Sequence, residues 1–135
     1  MMPVRADLSL RLVLGGDRSE TVPVRFAYSA SDPWAVTAVF VTPDGEVTWV
    51  FGRDLLEEGL AGPAGEGDVA VWPVVTGRER ILYLSLASPN GSALLEADLD
   101  AVGEFLRSTY QQVPRGTELA RIDLDAELAA LLDSR

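Results

Sequence analysis

Apolar and polar residues alternate at the start of the chain. From residue 4 to residue 14 an aliphatic side chain occupies every second position, and the alternation returns over residues 22–29 after the turn sequence Gly15-Gly16-Asp17. A strand places every second side chain on one face, so this pattern predicts an antiparallel hairpin with one apolar face.

A second hairpin is predicted where residues 35–42 and 47–51 flank the turn sequence Pro43-Asp44-Gly45. Residues 35–42 are apolar at both alternations, which indicates a strand covered on both faces. Trp49 is in phase with the apolar positions of the second strand. We therefore expect it to pack in the core rather than to stack on a nucleic-acid base.

The pattern changes after residue 52. Residues 53–60 are rich in helix formers and predict a short helix stopped by Gly59. Residues 62–67 contain three glycines and a proline, which predicts a flexible connector. Further strands are predicted at residues 68–75, 81–88 and 93–97.

Two local sequences add detail to the predicted strands. Pro73 has no amide hydrogen to donate, so its strand is predicted to be an edge strand or to carry a bulge there. Asn90-Gly91 tolerates positive φ at both positions, which predicts a tight hairpin turn.

Helical spacing begins at Asp98, with apolar residues at 99, 102, 106 and 110. A second amphipathic helix is predicted after Asp123, with an apolar stripe formed by Leu124, Leu128, Leu131 and Leu132. Residues 1–135 are therefore predicted to form a single α+β domain. In it, antiparallel β-sheets form a curved, barrel-like layer against carboxy-terminal helices.

Composition limits the chemistry. The 135 residues include no histidine, cysteine or lysine, and 21 acidic residues against 11 arginines give a net charge of -10. The usual proton shuttle, soft nucleophile and Schiff-base amine are missing, so we predict a binding protein that is not an enzyme and needs no cofactor or metal. An enzyme that relies on a carboxylate pair in a deep pocket is the remaining catalytic alternative.

Asp54, Glu57 and Glu58 form an acidic group on the predicted short helix. Their spacing matches no calcium loop, so the alternatives are a solvated helix face and a contact with a protein partner. We predict that the three acids make polar contacts with a protein partner or steer its approach. Trp34 follows Asp32-Pro33 at a strand entry, and Trp72 precedes Pro73. We predict these two tryptophans as apolar anchors at partner or subunit interfaces, because tryptophan is enriched in such contacts.

Charge and hydropathy also predict the surroundings of the chain. An acidic chain without lysine has few groups to neutralise phosphates, so nucleic acid is not expected as a partner. The first residues lack the apolar core of a signal peptide, and no apolar run approaches the length of a membrane span. We therefore expect a cytoplasmic protein without direct membrane insertion.

Several stretches together resemble the SsgA-like proteins of actinobacteria, which are small acidic regulators of sporulation-specific cell division. The resemblance covers almost the whole chain. It rests on residues 32–36 (DPWAV), 47–60 (VTWVFGRDLLEEGL), 67–73 (GDVAVWP), 88–97, 113–118 and 123–128.

The resemblance implies a fold like that of the plant Whirly proteins and a bell-shaped homo-oligomer, a trimer. It also implies recruitment to division septa, with FtsZ and other septum-site factors as partners. Whirly proteins bind single-stranded DNA, and that activity is the alternative function. This chain lacks their lysine-bearing binding motif, and salt-sensitive binding of short oligonucleotides would reveal the alternative.

Overall fold

Eight strands and two helices make up the part of the chain that the computed structural model describes, residues 2–119. They occur as two successive halves, each with four strands followed by one helix. The first half is β1 (Val4–Gly15), β2 (Arg18–Tyr28), β3 (Ala35–Thr42), β4 (Gly45–Gly52) and α1 (Arg53–Ala61). The second is β5 (Ala64–Glu66), β6 (Val69–Thr76), β7 (Glu79–Ser88), β8 (Gly91–Asp98) and α2 (Leu99–Gln112).

The strands form one antiparallel sheet in the order β4-β3-β2-β1-β8-β7-β6-β5, curled into a half-barrel. The halves join through a short β1–β8 pairing, in which Arg11 faces Glu96 and Leu12 faces Leu95. The predicted α+β class and the curved antiparallel layer are confirmed, although the layer is one sheet. The helix predicted after Asp123 lies outside the described residues.

The core lies between the concave face of the sheet and the two helices. Leu10, Phe26 and Leu84 are fully buried there, and the Phe26 ring packs edge-on against Phe105 of α2 at 5.5 Å between centroids. Asp98 caps α2 by accepting hydrogen bonds from the amides of residues 100 and 101. Burial of this one face explains the alternation along the strands.

Gly59 does not stop α1, contrary to the prediction, because the helix continues to Ala61. The glycine lies against β6, where a β-carbon would fall 2.5 Å from Val71 Cγ1 and 2.9 Å from Val71 Cβ. Close approach of the helix to the sheet, rather than termination, therefore requires glycine here.

Three other sequence predictions are corrected. Residues 64–66 form β5 instead of a connector, because they pair with residues 69–71 around Gly67. On β3, Val41 is 43% exposed, so the strand is not covered on both faces. Residues 88 and 91 pair across the β7–β8 turn, so the predicted tight hairpin turn is confirmed. The conformation expected at Asn90 is wrong, because no non-glycine residue among those described has positive φ and only Gly91 is left-handed there. By contrast, Pro73 lies on the stretch of β6 beyond its pairing with β5, as expected for an edge.

Candidate protein-interaction surface

The acidic group predicted on the short helix lies on the solvent side of α1. Asp54 and Glu58 are exposed, whereas the Glu57 side chain is 37% exposed and lies 3.4 Å from Arg115 Nη2. The buried residues Leu55, Leu56 and Gly59 occupy the opposite side of the helix. Three carboxylates spaced three and four residues apart thus form one acidic face.

Trp34 is brought to the amino end of this helix. Its backbone oxygen accepts a hydrogen bond from the Arg53 amide at 2.7 Å, and its side chain is 45% exposed. We use the term α1 surface for Trp34, Asp54, Glu57 and Glu58. An exposed tryptophan beside carboxylates offers both apolar area and charge to a protein partner.

Trp72 is not part of this surface. It lies on the convex face of the sheet, where its ring stacks on Tyr83 at 5.6 Å and an interplanar angle of 16°. The Tyr83 hydroxyl donates to Glu96 Oε1, and Glu96 in turn pairs with Arg11 at 2.8 Å. Trp72 therefore begins a row of side chains across four strands, on a face separate from α1.

Arg53 is the residue that sequence reasoning missed. It is 1% exposed, and its Nη1 donates to the backbone oxygens of Thr109 and Val113 at 3.2 and 2.8 Å. Its Nη2 lies 2.8 Å from Glu118 Oε1. The first residue of α1 is thereby tied to the end of α2 and to the segment that follows it, which fixes the position of the α1 surface.

Two tyrosine rings lie against the guanidinium group of this arginine. The guanidinium carbon lies 4.0 Å from the Tyr110 ring centroid and 5.0 Å from that of Tyr28. The Tyr110 hydroxyl donates to Asp54 Oδ1 at 3.2 Å, and burial together with this carboxylate raises the pKa of Tyr110 to about 12. Burial also raises the pKa of Tyr28, whose hydroxyl donates to the Pro33 backbone oxygen. Both rings are thus neutral partners for the cation.

Glu118 holds the segment after α2 in place. Its Oε2 accepts from the Gly116 amide at 2.9 Å, while Oε1 binds Arg53. The backbone amide of Glu118 itself, and then Arg53 and the Gly116 amide, hold the pKa of this carboxyl below its usual value despite its burial. It is therefore a stable anion at neutral pH. Residues 113–118 form a strap across the start of α1.

A groove of about 700 Å³ separates the exposed sides of α1 and α2. Its lining includes Leu60, Gly103, Tyr110, Glu57 and Arg107. Within residues 2–119, no group of three acidic side chains converges as a metal site. The helices described here are too short to cross a membrane. The geometry of the α1 surface suits recognition by charge and apolar contact.

Comparison with known proteins identifies the family. Residues 22–118 match the family described as Streptomyces sporulation and cell division protein, SsgA. The chain is 47% identical over 130 residues to the sporulation-specific cell division protein SsgB of Streptomyces coelicolor, covering 96% of this chain and 95% of that protein. It is 48% identical over 132 residues to SsgB of Kineococcus radiotolerans, covering 96% and 79%, respectively.

Solved structures agree with these matches. The fold superposes with a TM-score of 0.87 on an SsgA-like sporulation-specific cell division protein from Thermobifida fusca, at 38% identity and with 96% and 95% of the two chains covered. It superposes with a TM-score of 0.84 on a structure from work on SsgB mutations and longitudinal cell division during sporulation of Streptomyces coelicolor, at 44% identity and with 89% and 95% covered. The chain belongs to the SsgA family of sporulation and cell division proteins.

Proposed function

We propose that this protein is a non-enzymatic adaptor in sporulation-specific cell division, which helps to position or recruit FtsZ at septum sites. The observation that carries the proposal is the α1 surface, in which acidic side chains lie on a helix fixed by the buried Arg53 and the half-exposed Trp34 lies at the amino end of that helix. The names of the relatives support the cell division role, and the contact with FtsZ is our inference.

Rigidity supports the use of this helix in binding. A short helix alone is marginal in water, so its order must come from tertiary contacts. Arg53 supplies three such contacts at the first residue, and Gly59 allows close packing further along. A preorganised surface loses less conformational entropy when a partner binds.

The negative charge of the α1 surface favours a partner with a basic patch. Glu58 is exposed and has no ion-pair partner among the described residues, whereas Glu57 is paired with Arg115. Unpaired surface carboxylates steer association with basic patches and give salt-sensitive on-rates. We propose that a homotrimer presents three copies of this surface, so that weak contacts with a filament add through avidity. We further propose that this contact recruits the protein from the cytoplasm to the septum.

The test is co-sedimentation with FtsZ polymers from the same organism at low and moderate salt. Glu58→Arg is the informative variant, because reversing Glu57 would place two cations together at Arg115. Asp44→Arg is the matched control: it makes the same charge change in the exposed β3–β4 turn, at the end of β4 away from α1, where Asp44 has no ion-pair partner among the described residues. We expect Glu58→Arg to reduce co-sedimentation and Asp44→Arg to retain it. Equal retention by both variants would exclude Glu58 from the contact.

A further inference from the structure

A second surface, distant from α1, is formed by strands alone. At the end of the half-barrel that the helices leave uncovered, a cavity of about 160 Å³ lies between the β3–β4 hairpin and strands β7 and β8. Its lining comes from six strands and includes Leu12, Phe40, Val47, Trp49, Leu86 and Leu95. A shallower depression of about 280 Å³ continues from it along Trp49 and Leu86 to the β7–β8 turn. We use the term hairpin groove for these two spaces.

The hairpin groove has the structure of an apolar receptor. Phe40, Leu86 and Leu95 are at most 5% exposed and form a fixed floor, whereas Val47 is 47% exposed at the entrance. Trp49 stacks on Phe51 at 6.5 Å, which holds the indole as a wall. Apolar cavities of about 150 Å³ hold a benzene-sized group, so the deeper space fits one leucine or phenylalanine side chain.

The rim of the groove is acidic. Glu20 pairs with Leu12 across the β1–β2 ladder and so shares its face, and Asp44 lies in the β3–β4 turn. Asp17 lies in the β1–β2 turn, and Arg18 beside it is the nearby cation. None of these carboxylates has an ion-pair partner among residues 2–119, unlike Glu57, Glu96 and Glu118.

We propose that the hairpin groove binds an amphipathic protein segment that inserts one large apolar side chain and places basic residues against the acidic rim. Charge complementarity with the acidic rim distinguishes between the segments that could bind in the groove. Residues 120–135 of this chain contain four acids against two arginines, so the rim repels that segment. A basic segment gains from both the apolar cavity and the rim.

NMR titration of the full chain, with methyl and indole signals as reporters, tests this proposal. The probe is a synthetic twelve-residue peptide with a central phenylalanine and leucine between arginines. The comparison peptides replace the arginines by glutamates, replace the phenylalanine by serine, or consist of residues 120–135. We expect saturable shifts at Val47, Trp49 and Leu86 with the first peptide, and at least tenfold weaker binding of the glutamate and serine peptides.

Two variants of β4 provide a matched pair. Val47→Asn changes the groove entrance, whereas Val50→Asn changes the convex face, where Val50 is 61% exposed. We expect at least tenfold weaker binding for the first and less than a twofold change for the second. Ala93→Leu, which fills the same cavity with an apolar side chain, should also weaken binding at least tenfold. It keeps the test decisive if Val47→Asn fails to fold.

Four results would overturn the proposal. The first is equal binding of the arginine and glutamate peptides, and the second is an equal effect of Val47→Asn and Val50→Asn on binding. The third is tighter binding of the 120–135 peptide than of the arginine peptide. The fourth is a shift of the groove signals that depends on protein concentration when no peptide is present. The last two would assign the groove to the chain's own carboxy-terminal segment or to a second copy. Glu58→Arg should leave peptide binding unchanged, so this test is independent of the contact proposed for α1.

Discussion

Arg53 and Glu118, which are 65 positions apart in sequence, form an ion pair of 2.8 Å in the interior of the protein. The pair joins the first residue of α1 to the strap that follows α2. Breaking a buried pair by removing one partner leaves a desolvated charge and costs more than an exposed pair contributes. The position of the α1 surface therefore depends on a contact outside it.

Truncation of the carboxylate should destabilise the fold. We expect Glu118→Ala to lower the free energy of unfolding by about 3 kcal/mol, because Arg53 would lose its only carboxylate ligand in the described part of the chain. Glu104→Ala, on the exposed side of α2, should stay within about 0.5 kcal/mol of the unmodified protein. Urea denaturation measures both. Equal effects of the two substitutions would show that the ion pair does not hold the strap.

Acid should release the same contact. Folding lowers the pKa of Glu118 from its ordinary value of 4.5, so the carboxylate contributes stability above that pH. This contribution is lost as the pH falls from 4.5 through the lower folded pKa. We expect Glu118→Gln to be less stable at pH 7 and to have a shallower loss of stability below pH 4.5. Parallel stability curves for the two proteins would contradict the assigned role of the charge.

The three tyrosines should lose their protons at a higher pH in the folded protein than in the unfolded chain. Burial raises the pKa of each of them above the ordinary tyrosine value of 10.0, and that of Tyr110 reaches about 12. A raised pKa means that the folded protein retains protons which the unfolded chain has released, so stability falls as the pH rises from 10 through 12. Phenolate absorbance should show a higher midpoint in the folded protein than in urea, and Tyr110→Phe should remove the latest transition. Superimposable titration curves of the folded and unfolded protein would show that burial does not raise the pKa of these tyrosines.

Two helical glycines should respond in opposite directions to the same substitution. At Gly59 an added methyl group meets Val71 at 2.5 Å, whereas at Gly103 the nearest atom is Leu60 Cδ1 at 3.9 Å. We expect Gly59→Ala to destabilise the protein by about 1–3 kcal/mol through overpacking. Gly103→Ala should stabilise it by about 0.5–1 kcal/mol through helix propensity. Thermal unfolding checks the signs, and stabilisation by Gly59→Ala would show that α1 can move away from β6.

The sequence predicts most elements because one buried face leaves a period in each strand and in α2. The β1–β2 and β3–β4 hairpins follow from alternation and turn residues, and these are local signals. β5 has no such signal, since Ala64 and Gly65 join the sheet only by pairing with β6. Local rules thus predict the strands that carry their own apolar pattern and miss the one that depends on a neighbour.

Only the exposed residues of the candidate α1 surface could be predicted from the sequence. Asp54, Glu57 and Glu58 stand out as acids at helical spacing, and Trp34 stands out by residue type. Arg53 carries no local signal of burial, because its ligands come from α2 and the strap. The sequence around Trp72 gives no sign that this residue lies on the convex face of the sheet, away from α1. Charge and residue type are visible in sequence, whereas long-range pairing requires the structure.

The most direct measurement for the adaptor account is the equilibrium affinity of the labelled full chain for polymerised FtsZ, across a range of salt concentrations and beside a single-stranded oligonucleotide. The account predicts saturable FtsZ binding that weakens with salt and falls at least fivefold in Glu58→Arg, with Asp44→Arg unchanged and no oligonucleotide binding. Binding of the oligonucleotide without binding of FtsZ, by the folded protein, would contradict it.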